Sequence, residues 1–440
     1  MMTLLAYGMI AVFMTSIMTR SLSALIALIV VPTAFAAIAG FAPELPAMMI
    51  DGIRSIAPTG VLLLFAILYF GLMIDVGLFD PIVRAILRVC QGDPLKVIVG
   101  SALLSAIISL DGDGSTTYLL CITAMLPLHR KLGINPLILP AVTMLPNSIM
   151  NIAPWGGPTA RVMASLHLDP SQVFLPLLPS VALATLGSFA IAWYLGMKER
   201  RRLGKLDFVY TGPAVSERSL IDPTQPHPPR EHMDIPKWRQ WFNIGLTLLL
   251  LVSLVLDFAP LAVLFMIAYS IAVTVNFPRL SDQRDRLAAH SSSVLAVVSV
   301  IFAAGVFTGV LKGTGMADAL AHSIVWLIPE SHGNLLPLIT ALISGPFTFF
   351  LSNDAFYFGV VPVLAEAGKA YGIAPEVIAR ASLIGQPLHQ LSPLVAATYV
   401  LVGLAEVDFG EHQRFSLKWA GVLTLLMLIA ALAVGAITIF

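Results

Sequence analysis

Twelve apolar stretches divide the sequence, and most of them are about as long as the hydrocarbon core of a bilayer is thick. A helix needs roughly 20 apolar residues to cross that core. Only 11% of the 440 residues are charged, whereas soluble domains carry about 25%. Lipid is therefore the solvent for most of this chain, and the pattern predicts an all-α polytopic membrane protein.

Eight stretches are long and uninterrupted, and we interpret them as membrane spans. They are residues 3–19, 22–41, 57–75, 172–197, 241–257, 260–277, 293–311 and 418–440. A cleavable signal peptide has basic residues before its apolar run, and here the first basic residue is Arg20, after the run. We therefore expect the first helix to be retained.

The other four stretches depart from a simple span. Residues 134–166 and 374–403 contain Pro and Gly, which predicts broken helices. Residues 95–128 and 334–367 have polar residues between apolar flanks, which predicts re-entrant hairpins. With both termini outside, this topology places 20 of the 25 Lys and Arg residues on the cytoplasmic side, as the positive-inside rule requires.

The sequence repeats itself at an offset of about 239 residues. The matching landmarks are GINP at 133–136 with GIAP at 372–375, NIAP at 151–154 with QLSP at 390–393, Thr159 with Thr398, and, at an offset of 241, Asp113 with Asp354. Five predicted crossings separate equivalent points, and an odd number inverts the second copy. Inverted repeats with discontinuous helices are typical of secondary transporters.

The repeat defines two halves. Residues 1–202 hold the first hairpin and the first broken helix, and residues 241–440 hold the second pair. Residues 203–240 are hydrophilic and rich in Pro, which predicts a cytoplasmic linker.

Polar residues gather at the hairpin tips and at the helix breaks, where we expect the substrate. Carboxylates at membrane depth are costly and mark functional sites, and Pro and Gly free backbone groups beside them. The substrate-binding candidates are Gly112, Gly114, Ser115, Thr116, Thr117, Asn147, Asn151, Gly156, Gly157, Thr159, Arg161, Ser352, Asn353, Gln386, His389, Gln390 and Thr398. The candidate metal ligands are Asp111, Asp113, Asn151 and Asp354.

Structural alternatives stay open for several of these residues. The tip acids could cap the helices that follow them, and amides in membrane helices often join neighbouring helices. His389 could carry a proton or be a hydrogen-bonded structural residue. Arg161 could pair with a substrate carboxylate or anchor the chain at the interface.

The tip acids restrict the class of substrate. Amide donors and helix N-termini suit a carboxylate anion, but three carboxylates would repel a bare one. Either the acids are protonated during binding, or a cation arrives with the anion. A divalent cation such as Mg²⁺ or Ca²⁺ would take oxygen ligands from Asp, Asn and carbonyl groups.

Four motifs resemble the CitMHS citrate transporters, and the similarity extends along nearly the whole chain. They are MTSIMTR at 14–20, DGDGSTTY at 111–118, PLHRKLGINP at 127–136 and NIAPWGGPTAR at 151–161. The resemblance implies symport of a divalent metal–citrate complex with protons and no prosthetic group. It also implies an elevator-type dimer of the ion-transporter superfamily, with a scaffold and a transport domain.

The second tip departs from the pattern of sodium-coupled relatives. Dicarboxylate carriers of that superfamily have Ser-Asn-Thr at both tips, whereas this chain has Ser352, Asn353 and Asp354. This change favours transport with a metal ion and protons over transport coupled to sodium. A sodium-coupled di- or tricarboxylate carrier and a cation/proton antiporter remain the alternatives.

Other classes of function have little support. The formal net charge is zero, so nothing indicates a nucleic-acid partner. The two cysteines are too far apart for a CxxC metal site, and the nine His residues are scattered, so no enzyme-like constellation is visible. We expect a multi-pass transporter of the bacterial inner membrane and not an enzyme.

Overall fold

The computed structural model describes residues 2–19, 21–90, 92–112, 114–204, 236–256, 258–320 and 330–438. Within these ranges the chain is helical and contains no β-strand. Six helical segments are long and apolar enough to cross a membrane by length and composition: 45–75, 94–111, 170–203, 280–313, 333–350 and 409–433. The fold is therefore that of an all-α polytopic membrane protein, as predicted.

The described residues of the first half form nine α-helices. They are α1 (Met2–Met18), α2 (Ala24–Ile38), α3 (Leu45–Asp75), α4 (Asp80–Val89), α5 (Pro94–Ile108), α6 (Gly114–Leu132), α7 (Ile138–Met150), α8 (Gly157–Leu166) and α9 (Pro170–Leu203). A 3₁₀ turn, Ser109–Asp111, connects α5 to the tip before α6, so these two helices form the first hairpin. The predicted broken helix is α7 and α8 with a non-helical break between them.

The second half repeats this order. Its helices are α10 (Lys237–Val255), α11 (Leu261–Asn276), α12 (Leu280–Gly313), α13 (Leu336–Phe350), α14 (Val361–Ala370), α15 (Pro375–Ser382), α16 (Gln386–His389), α17 (Ala396–Ala405) and α18 (Phe409–Ala433). A 3₁₀ segment, Glu330–Leu335, precedes α13, and a π-helical turn, Ala355–Val360, precedes α14. Helices α13 and α14 form the second hairpin, and α15 to α17 form the second broken helix.

Several predicted boundaries were wrong. Helix α3 begins 12 residues before the predicted start at 57, and α12 begins 13 residues before the predicted start at 293. The added segments carry charged residues, such as Asp51 and Arg54 in α3 and Asp282 in α12. A hydropathy pattern excludes such residues, although a helix that extends beyond the lipid accepts them. Helix α18 begins at Phe409 and not at 418, because the Asp408 side chain caps it by accepting from the Glu411 amide.

Other predicted elements differ in length or lie partly outside the described residues. Helices α2 and α11 have 15 and 16 residues, shorter than the predicted spans, whereas α1 has 17 residues, as many as predicted. Most of the predicted linker, 205–235, lies outside the described residues, and both of its described ends are partly helical: α9 ends at Leu203 and α10 begins at Lys237. Helix α4 was not predicted as a separate element.

Helices α3 and α12 pack closely through glycine. A Cβ atom on Gly52 of α3 would lie 2.0 Å from the carbonyl oxygen of Gly305 in α12. A Cβ atom on Gly309, one turn further along α12, would lie 2.3 Å from the carbonyl oxygen of Met48. Small residues allow this close approach in membranes, where lipid supplies no hydrophobic drive for helix association. Helix α11 also packs on α3, and we call α3, α11 and α12 the scaffold.

The hairpins and broken helices form a second group, which we call the transport body. Helix α5 packs on α7 and α9, α6 packs on α7 and α17, and α13 packs on α15 and α16. Trp155, in the first break, connects this group to the scaffold, since its ring lies 5.3 Å from the Phe70 ring and 5.2 Å from the Phe265 ring.

Candidate functional site

The first hairpin tip is held against the break of its own repeat. Gly112 ends the 3₁₀ turn with φ at 79°, a left-handed conformation that favours glycine. The Trp155 indole N–H donates to the carbonyl of Leu110 over 2.8 Å. Gly114 then begins α6, and its Cβ position lies only 3.3 Å from Asn147 Oδ1. Asp113, a predicted metal ligand, lies outside the described residues.

A tyrosine absent from our predicted set connects the two repeats. The Tyr118 hydroxyl lies 2.9 Å from Asn147 Oδ1 in α7 and 3.3 Å from Gln390 Oε1 in the second break. The Asn147 amide donates in turn to Ser109 Oγ over 3.0 Å. Tyr118, Asn147 and Gln390 are all buried. The first hairpin therefore contacts the broken helices of both repeats.

The second hairpin tip meets the first broken helix through an ion pair. Arg161 Nε, in α8, donates to Asp354 Oδ1 over 2.6 Å, and the two side chains are 23% and 19% exposed. Arg161 also donates from Nη1 to the carbonyl of Gly157 over 3.0 Å. Ser352 caps the same tip, because its Oγ accepts from the Ala355 amide over 3.1 Å. Like the Tyr118–Gln390 contact, this ion pair joins candidate site residues of different repeats.

The second broken helix is also bonded to its own hairpin. The Gln386 amide donates to the Tyr357 hydroxyl over 2.7 Å, and His389 Nδ1 lies 2.6 Å from the carbonyl oxygen of Thr348. Ser392 Oγ donates to the carbonyl of Phe349 over 2.6 Å. His389 also lies near enough to interact electrostatically with both Arg161 and Asp354. Helix α16 therefore contacts both helical parts of the second hairpin through Gln386 and His389.

Two threonines close the helix breaks in the same way. Thr159 Oγ1 donates to the carbonyl of Ile152 over 2.7 Å, and Thr398 Oγ1 donates to the carbonyl of Gln390 over 2.6 Å. Each hydroxyl thus satisfies a carbonyl that the break would otherwise leave without a partner. Gly156 is required at the first break, since a Cβ atom there would lie 1.9 Å from the carbonyl oxygen of Asn151.

Three buried oxygens at predicted site residues accept no hydrogen bond from the described residues. They are Thr117 Oγ1, Asn353 Oδ1 and Gln386 Oε1. Buried polar atoms in native proteins nearly always have partners, so such atoms call for an explanation. Mg²⁺ and Ca²⁺ take oxygen ligands, and amide oxygens such as those of Asn and Gln serve beside carboxylates.

The predicted metal ligands that the structure describes, Asp111, Asn151 and Asp354, lie in separate elements. Among the described residues, no three His, Cys, Asp or Glu side chains lie close enough to hold a metal ion together. Asp354 is paired with Arg161, Asp111 lies in the 3₁₀ turn of the first tip, and Asn151 ends α7. Ser115 and Thr116 lie in the first turn of α6, where Ser115 is exposed and Thr116 is half-buried.

Tyr118, Tyr357, Ser109 and Trp155 are the site residues that sequence reasoning missed. One signal was present for two of them, because the offset of 239 that equates Thr159 with Thr398 also equates Tyr118 with Tyr357. The same offset equates Asn147 with Gln386, and each tyrosine hydroxyl bonds the amide of its own repeat. In that register Asp354 corresponds to Ser115.

Comparison with solved structures agrees on the fold. The YdaH transporter of Alcanivorax borkumensis aligns with 89% of this chain and 88% of its own, with a TM-score of 0.60 and 17% identity. The MtrF efflux pump of Neisseria gonorrhoeae aligns with 88% of this chain and 83% of its own, with a TM-score of 0.58 and 17% identity. At this identity the similarity concerns the fold alone.

Comparison with protein families and curated sequences identifies the family. The family model CitMHS, described as citrate transporter, matches residues 10–385. Two proteins of Bacillus subtilis (strain 168) match over the full length of both chains: one named citrate transporter, at 54% identity, and one named Mg(2+)/citrate complex secondary transporter, at 49%. The relatives are transporters and not enzymes, as predicted. This chain belongs to the CitMHS family of citrate transporters.

Proposed function

We propose that this protein takes up citrate as a complex with a divalent metal ion, Mg²⁺ or Ca²⁺, by proton-coupled secondary active transport. The observation that carries the proposal is the Arg161–Asp354 pair, which places one positive and one negative charge where the two repeats meet. A metal–citrate complex presents both a carboxylate and a cation, so it matches both charges. The relative named for Mg(2+)/citrate supports this choice over bare citrate.

The carboxylate side of the complex would bind at the start of α8. Helix α8 begins at Gly157, and the backbone N–H groups of its first turn lie at that helix N-terminus, where the helix dipole favours an anion. Arg161 lies one turn further along the same helix, and its guanidinium forms charge-assisted bonds with carboxylates.

The metal side of the complex would bind oxygen atoms of the second tip. Asp354 supplies a carboxylate, and the neighbouring Asn353 Oδ1 is a buried acceptor with no donor among the described residues. Citrate would supply further oxygens to the metal. The metal is thus cargo, and the protein completes its coordination.

The repeats suggest how the cargo crosses the membrane. In our proposal the substrate is held between the two inverted repeats. The transport body moves relative to the scaffold, as in an elevator, and carries the substrate across the membrane. The protein would act as a homodimer in the inner membrane of a bacterium. Protons would drive the cycle, because an acid, Asp354, replaces the Thr of the sodium-coupled motif.

Uptake of radiolabelled citrate into proteoliposomes tests the proposal. We expect uptake with Mg²⁺ or Ca²⁺ to exceed uptake with chelator at least tenfold. An inward proton gradient should stimulate it, and a sodium gradient at constant pH should not. Empty liposomes and liposomes with an unrelated membrane protein are the controls.

Each alternative has its own outcome in this assay. Stimulation by sodium without metal would favour a sodium-coupled carboxylate carrier. Metal flux against protons without citrate would favour a cation/proton antiporter. Either result would contradict the metal–citrate proposal, while the family membership would stand.

A further inference from the structure

The Arg161–Asp354 pair has unused binding capacity on both sides. Arginine carries five N–H donors, and the contacts with Asp354 and Gly157 use two of them. Asn353 precedes Asp354 in the chain, and its Oδ1 is buried and lacks a donor among the described residues. The pair is therefore flanked by hydrogen-bond donors suited to a carboxylate and by an oxygen suited to a cation.

We infer that this ion pair makes the site selective for a ligand that carries a cation and a carboxylate together, over either one alone. The inference rests on the proposed function and adds the device that couples the two cargo components. It requires only one acidic protein side chain, Asp354, which agrees with the lack of an acidic cluster in the described part of the chain.

The selectivity follows from what each partial ligand leaves behind. A bare carboxylate that binds Arg161 is repelled by Asp354 and weakens the bond that compensates that acid. A bare cation that binds Asp354 is repelled by Arg161 in the same way. The pair is largely buried, and leaving one member of a buried pair without its partner is strongly unfavourable. A metal–carboxylate complex compensates both charges at once.

Because coupling between two ligands is reciprocal, metal must raise the affinity for citrate by the factor by which citrate raises the affinity for metal. Isothermal titration calorimetry of the purified full-length protein measures both factors, with citrate, Mg²⁺ and their mixture as probes. The heats are corrected for metal–citrate association in solution. We expect a coupling factor of at least tenfold in the unmodified protein.

Charge-neutralising variants then test the role of the pair. In Asp354→Asn, Arg161 is free of its acid, so citrate without metal should bind more tightly and the coupling factor should fall to about one. In Arg161→Gln, Mg²⁺ alone should bind more tightly than it does to the unmodified protein. The double variant Arg161→Gln, Asp354→Asn removes both charges, so neither is left without a partner. It replaces the single variants in the test if one of them folds poorly, and its coupling factor should also be about one.

The matched control is the exposed pair of Arg54 and Asp51 on α3, whose side chains are 77% and 72% exposed. The double variant Arg54→Gln, Asp51→Asn makes the same chemical change outside the site and should keep the full coupling factor. If Asp354→Asn or the double site variant keeps the tenfold factor, the inference is wrong and the proposed function stands. If the unmodified protein binds citrate equally with and without Mg²⁺, both are wrong.

Discussion

Tyr118 and Tyr357 occupy equivalent positions in the two repeats, but their hydroxyl groups have different sets of hydrogen-bond partners. Each contacts the amide side chain of its own broken helix, Asn147 or Gln386. Tyr118 also reaches Gln390 of the other repeat, whereas Tyr357 donates to the carbonyl of Ser382 within its own repeat, over 3.3 Å. The symmetry of the sequence is thus broken at one hydrogen bond.

Phenylalanine substitutions separate the two roles. Each variant leaves buried partners without a hydrogen bond, which costs about 1–3 kcal/mol of stability, so both should unfold at a lower temperature. Only Tyr118→Phe removes a contact between repeats, so we expect it to reduce metal-dependent citrate uptake at least tenfold more than Tyr357→Phe does. Thermal unfolding and proteoliposome uptake measure the two effects. Equal losses of uptake would show that the bond between repeats has no special role.

Local residue patterns could predict the breaks but not the contacts across them. Gly156 and Gly157 act through the backbone next to them, so the first break was visible in the sequence. The Arg161–Asp354 pair joins residues 193 positions apart, and the Tyr118–Gln390 bond joins residues 272 apart. No local pattern encodes such distances, and a tyrosine in an apolar helix resembles any other core aromatic residue.

At the scale of elements, the contact between α3 and α12 depends on the absence of side chains at its centre. A Cβ atom on Gly52 would lie 2.0 Å from a backbone oxygen and 2.9 Å from the Cα atom of Gly309, so no rotamer change could relieve the clash. The two helices would have to separate. Hydropathy alone could not show this, since it reports which segments are apolar and not which of them touch.

Gly52→Ala should therefore destabilise the protein by about 1–3 kcal/mol or more, as overpacking does. The control is Gly421→Ala in α18, where a Cβ atom would meet nothing within 4 Å. Alanine favours helix over glycine by about 1 kcal/mol, so this variant should be as stable as the unmodified protein or more stable. Unfolding temperatures in one detergent compare the two. A loss of stability in Gly421→Ala equal to that in Gly52→Ala would rule out the close-contact explanation.

For the whole molecule, the elevator proposal requires the transport body to slide along the scaffold. Ser55 of α3 and His167, which follows α8, form one contact between the two groups, with Ser55 Oγ 3.1 Å from His167 Nδ1. Burial and, to a lesser degree, the charge of Lys312 lower the pKa of His167, so the imidazole is neutral at pH 7. Replacing both residues therefore removes no ion pair.

Oxidative cross-linking of the variant Ser55→Cys, His167→Cys should stop uptake, and a reductant should restore it. The control is Asn243→Cys, Asn276→Cys, a pair that joins α10 to α11 with amide groups 3.1 Å apart. Its cross-link connects two neighbouring helices outside the transport body and should leave uptake unchanged. The two natural cysteines, Cys90 and Cys121, are buried and free, which limits background reaction. Continued uptake by the cross-linked Ser55 and His167 variant would contradict the sliding motion.

The distance in sequence between Arg161 and Asp354 also has a consequence for the synthesis of the chain and its insertion into the membrane. At about 5–20 residues per second, synthesis reaches Asp354 roughly 10–40 s after Arg161, since the two lie 193 residues apart. A cation without a counter-ion is costly at the bilayer centre, so we expect α8 to stay near the membrane surface or against the translocon until the second tip is made. A nascent chain released after its first half would keep an uncompensated guanidinium, and membrane proteases would have a chemical feature by which to recognise it as unfinished.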